Sequence, residues 1–99
     1  MIMEFLTAES FQPYVGKKAH FAGTEHTLKL DRVEVSTGPI PPGGKYQPFI
    51  VIFQGPQTQE YLRSGVYDCE IEDGPVYNIH VTPMQSETPG LFEYQAIFS

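Results

Sequence analysis

A chain of 99 residues makes one domain, spanning 1–99, and buries roughly 60–65% of its unfolded surface, enough for one modest core. Hydrophobic content of 40% and aromatic content of 13%, with seven Phe and six Tyr but no Trp, argue for a packed globule and against disorder. A formal charge of −6, from twelve carboxylates against six Lys and Arg, argues against nucleic acid and against an anionic membrane surface as partners; Lys17–Lys18 is the sole basic doublet.

The start, Met1-Ile2-Met3-Glu4-Phe5-Leu6, lacks the basic and apolar regions of a signal peptide. No apolar run approaches the ~20 residues of a transmembrane helix. The first predicted element is a short helix from Thr7 to about Tyr14, with Thr7 as cap and Glu9 in the first turn, where the helix dipole favours a carboxylate. Leu6 and Phe11 fit a hydrophobic staple, and Pro13 keeps the helix brief. Phe11 and Tyr14 are expected to plug one end of a sheet.

After Gly16 the pattern becomes alternation. Residues 17–21 read as a weak strand and Gly23–Thr24 as a turn. Leu28 and Leu30 share one parity while Val33 and Val35 have the other. One extra residue near Asp31–Arg32, a β-bulge, reconciles them, so residues 26–36 are predicted as one long bent strand. Residues 36–48 hold three glycines and four prolines, which excludes a helix or a central strand. Phe49-Ile50-Val51-Ile52-Phe53 is apolar on both faces, as in a strand covered on both sides. Gly55–Pro56 is expected to end it, with one helical turn between Gln57 and Ser64.

Three half-buried strands follow. Tyr67, Cys69 and Ile71 alternate with Asp68, Glu70 and Glu72. Tyr77, Ile79 and Val81 alternate with Asn78, His80 and Thr82, and Phe92, Tyr94, Ala96 and Phe98 with Glu93, Gln95 and Ile97. A two-residue Asp73–Gly74 turn would put the first two apolar rows on opposite faces. A three-residue loop, 72–74, places Cys69 opposite Tyr77 and Tyr67 opposite Ile79, with Gly74 left-handed. Burying three side chains per strand outweighs a turn preference of about 1 kcal/mol, which selects the odd loop. The fold class is therefore all-β: about six mostly antiparallel strands in a small barrel or rolled sandwich, with a short N-terminal helix.

No catalytic, cofactor or metal site emerges from these residues, and the chain is expected not to be an enzyme. His20, His26 and His80 are assigned to different strands, none at ligand spacing with another donor. Cys69 lies in an apolar row beside acidic neighbours that raise a thiol pKa, so it reads as a core residue. As the lone cysteine it forms no internal disulfide and favours a reducing, cytoplasmic setting. Ser10, Ser36 and Ser64 lack a G-x-S-x-G context, and Gly43-Gly44-Lys45 is only a fragment of a phosphate loop. Two features suit a protein partner or self-association: Ile40 and Tyr46 in the Pro/Gly loop, and the acidic row Asp68, Glu70 and Glu72, continued by Asp73.

The order Phe49-x-x-x-Phe53-x-Gly55-Pro56, Leu62-x-x-Gly65-x-Tyr67, Val81-x-Pro83 and Tyr94-x-Ala96-x-Phe98 resembles a family of small bacterial proteins described as a domain of unknown function. Phe11-x-x-x-x-Gly16-x-x-Ala19-x-Phe21 and Leu28-x-Leu30-x-x-Val33 extend the resemblance over most of the chain. It implies a stand-alone domain, an association with phage-tail-like gene clusters and no catalytic residues. The family's connection before the Phe49 strand is shorter, which makes the Pro/Gly loop a local elaboration. Two functions remain open at this point. One is a non-enzymatic binding or assembly module. The other is a small-ligand binder or minor enzyme, with a pocket of Tyr, Phe and one His at a barrel mouth.

Overall fold

A computed structural model of the chain describes residues 6–36, 48–56, 62–86 and 88–98. The predicted N-terminal helix is instead two 3₁₀ turns, Ala8–Ser10 and Gln12–Tyr14. Their backbone bonds all span three residues, as in Ser10 N–H to Thr7 O (2.9 Å) and Tyr14 N–H to Phe11 O (2.9 Å). Pro13 explains the change: it has no N–H to continue an α-ladder, but is tolerated in the first positions of a new turn. Ser10 Oγ accepts the Thr7 N–H at 3.0 Å and satisfies the entry to the segment.

Six strands follow: β1 (Lys18–Phe21), β2 (Thr27–Val35), β3 (Phe49–Pro56), β4 (Gly65–Ile71), β5 (Val76–Met84) and β6 (Leu91–Phe98). They form a closed barrel in the order β1-β2-β3-β6-β5-β4, every neighbouring pair antiparallel. Closure resolves the choice between barrel and sandwich, and it removes the unpaired edges of an open sheet.

The register shift in β2 falls between Leu30 and Arg32, where parity demanded it. Leu30 faces Phe53, and Arg32 faces Ile52. The β4–β5 hairpin has the predicted odd register, with Tyr67 opposite Ile79 and Cys69 opposite Tyr77. Its left-handed residue is Asp73 (φ 57°) and not Gly74. Asp tolerates this region because its short side chain bonds locally. Gly74 is needed for space, since a Cβ there would stand 2.8 Å from the Tyr14 ring. β3 ends at Gly55–Pro56 as expected, with both residues still paired, facing Phe92 and Leu91; a terminal strand position tolerates Pro. His26 precedes β2 and does not lie in a strand. Residues 37–47 and 57–61 lie outside the described residues, and with them most of the Pro/Gly loop and of the expected helical turn; 62–64 are not helical.

Two side chains from outside the strands enter the barrel core. Phe11 is fully buried, with its ring 5.1 Å from Tyr77, 5.5 Å from Phe98 and 6.1 Å from Phe49. The 3₁₀ segment thus plugs one end, as its aromatic spacing suggested, and Phe49 stacks on Phe98 at 4.6 Å behind it. Leu62, just before β4, is buried among the core residues, and its N–H is bonded to the buried Tyr94 hydroxyl at 3.0 Å. Phe21 crosses Phe53 edge-on at 5.3 Å in the same core.

Candidate functional site

Among the described residues, the core is made of buried apolar side chains with Cys69 among them. Cys69 is fully buried, and its thiol is pushed up to about 12, by burial first and by the Glu70 charge second. A thiol so protonated is a poor nucleophile. Phe11 and Leu62, both from outside the strands, are buried in the same core. Two open grooves mark the described surface, one of about 280 Å³ bordered by Val35, Phe49, Ile50 and Ile97, the other of about 420 Å³ bordered by Lys18, Thr27, Lys29 and Gln54. Neither is lined by a histidine.

The outer wall carries two groups of charged residues. The first is the predicted acidic row. Strand alternation turns Asp68 and Glu70 outward from β4, and the tight turn adds Glu72 and Asp73, all four exposed. The structure brings them together, but three have partners that the sequence did not disclose. Asp68 Oδ1 accepts from Asn78 Nδ2 at 3.0 Å, Glu70 Oε1 lies 2.7 Å from His20 Nδ1, and Asp73 is 4.0 Å from Lys17 Nζ. Val66 and Val76, on the same outer face, are 61% and 58% exposed, so the row is flanked by apolar side chains. Ile40 and Tyr46 lie outside the described residues.

The second group was missed. On the outer face of β2, β3 and β6, Glu93 is only 5% exposed, although its strand pattern assigned it to solvent. Gln54 Nε2 donates to its Oε2 at 2.7 Å, and Arg32 Nη1 lies 3.5 Å from the same oxygen. Arg32 also bonds Asp31 and Glu34, each at 2.7 Å, and these bonds hold its guanidinium charged well above its ordinary range. The bulge makes the cluster, because it sets Asp31 beside Arg32. Ile52, buried on the same outward face between Arg32 and Gln95, was the available signal: a strand apolar on both faces needs an outer cover.

Among the described residues, no three His, Cys, Asp or Glu side chains gather as a metal site, and no helix is long and apolar enough to cross a membrane. The molecule is thus a small six-stranded closed β-barrel with an apolar core. The chain belongs to the DUF6916 family, described as a domain of unknown function, whose model matches residues 6–98. No curated protein and no solved structure gives a significant match to the chain.

Proposed function

We propose that this protein is a non-enzymatic binding or assembly module that recognises a protein partner, or a second copy of itself, through the outer wall of its barrel. The observation that carries the reading is the β4 face. Exposed carboxylates at Asp68, Glu70, Glu72 and Asp73 lie beside exposed Val66 and Val76, a mixed acidic and apolar surface suited to a basic protein patch. The charge of −6 favours a protein over a nucleic acid as partner. The accessory role in a phage-tail-like assembly implied by the family resemblance is the specific form of this proposal. The free Cys69 suits a reducing compartment such as the cytoplasm.

The small-ligand alternative draws no support from the two grooves, neither of which is lined by a histidine. Light scattering at rising concentration, with affinity capture on the immobilised protein, tests the proposal. The expected result is a discrete assembly or a retained protein that the Asp68→Lys/Glu72→Lys variant loses and that high salt releases. A strictly monomeric chain that retains no protein would overturn it.

A further inference from the structure

His20 stands where the barrel closes. The β1–β4 seam has three register pairs, Ala19 with Ile71, His20 with Glu70 and Phe21 with Cys69. It is flanked by backbone bonds from Ala22 N–H to Asp68 O (3.0 Å) and from Glu72 N–H to Lys18 O (2.8 Å). Across this short seam His20 Nδ1 lies 2.7 Å from Glu70 Oε1, and on its other side Nε2 lies 3.0 Å from the Thr24 carbonyl oxygen. A carboxylate and a carbonyl oxygen can only accept. Both bonds exist together only when each ring nitrogen carries a proton, which is the imidazolium. The neutral ring has a single N–H and keeps one of the two.

Other charged groups lie near the ring in the chain. Asp68 on β4 and Glu72 in the turn after it flank Glu70 in sequence, and Glu25 lies in the turn that carries Thr24. Against these stand Lys18, two positions before His20, and Lys29, opposite Lys18 on β2. His26 closes the same turn, and Thr27 faces His20 across the β1–β2 pair. Carboxylates outnumber ammonium groups among these neighbours.

We propose that His20 is a pH-operated clasp on the barrel seam. Protonated, it ties β1, the β1–β2 turn and β4 together; deprotonated, it releases one contact and leaves Glu70 with its uncompensated charge on the acidic face. This stands independently of the reading as a binding module. The Glu70 bond, and next the Thr24 carbonyl, raise the His20 pKa above its ordinary 6.5. The clasp's contribution is therefore complete below pH 6.5 and lost as pH rises through the folded-state value.

Ring-nitrogen NMR across pH tests this directly, with an unstructured histidine peptide as reference. His20 should show both ring nitrogens protonated at mildly acid pH and should titrate above the peptide; in Glu70→Gln its titration should fall. Protection of the Ala22 and Glu72 amides, corrected for intrinsic exchange, should drop about two- to fivefold across the His20 titration, and not in His20→Gln. The proposal is overturned if His20 titrates together with the unstructured peptide, if Glu70→Gln leaves it unmoved, or if seam protection responds to pH equally in His20→Gln. The wild-type titration needs no variant, so a substitution that perturbs folding leaves the test intact.

Discussion

The Tyr94 hydroxyl accepts the backbone N–H of Leu62 at 3.0 Å inside the core, joining β6 to the residues that lead into β4. Tyr94→Phe keeps the ring but leaves a buried N–H without its acceptor. The expected loss is about 1–3 kcal/mol, with the melting temperature falling by about 4–8 °C per kcal/mol in a domain of this size. Thermal unfolding followed by circular dichroism reads it. An unchanged melting temperature would show that the bond holds nothing in place.

Gly55 on β3 packs directly on the Leu28 side chain, and a methyl group at Gly55 would collide with Leu28 Cδ2. Gly55→Ala is expected to cost about 1–3 kcal/mol through overpacking. The diagnosis is checked by a double-mutant cycle in denaturant: with Leu28→Ala already present, Gly55→Ala should cost clearly less. Strict additivity would rule out the collision as the cause.

The buried thiol of Cys69 sets a second dependence on pH, at the alkaline end. Its value rises from an ordinary 9.0 to about 12 in the folded protein. Between these values the unfolded chain releases a proton that the folded chain keeps, so stability falls as pH rises through that window. Denaturation midpoints across alkaline pH should decline less for Cys69→Ala than for the parent, after the mutant's own offset is subtracted. Alkylation of the parent at mildly alkaline pH should follow unfolding, and prompt labelling of the native protein would refute the assignment of Cys69 to the core.

Arg32 and Glu93 differ in exposure, which makes their substitutions unequal. Arg32→Ala leaves a nearly buried carboxylate with Gln54 Nε2 as its one close side-chain donor among the described residues, and is expected to cost about 1–2 kcal/mol after allowance for the half-exposed arginine. Removing both charges together, as Arg32→Met/Glu93→Leu, should cost less than Arg32→Ala alone, because no buried charge is left behind. Chemical denaturation of the three proteins decides, and a double variant weaker than the single one would contradict this account.

Much of the wall was legible in the residues. The parity change from Leu28 and Leu30 to Val33 and Val35 located the bulge. The paired rows of β4 and β5 selected the odd hairpin over the more common two-residue turn, because a one-residue slip turns every side chain to the other face. The acidic face was legible for the same reason. Its partners were not: His20 is fifty positions from Glu70, and no local spacing connects β1 to β4. Glu93 misled because alternation reports which face a residue takes, and says nothing of what covers that face.

By itself the sequence determined the β class, the individual strands, the bulge, the hairpin register and the aromatic plug at Phe11, all of which follow from side-chain period and volume along short stretches of chain. Tertiary structure alone decided that β4 meets β1 to close a barrel, that Leu62 is buried in the core, that Asp73 and not Gly74 takes the left-handed turn position, and that His20 faces two acceptors. Those outcomes depend on which distant edges and side chains compete for the same space, a quantity no local pattern contains.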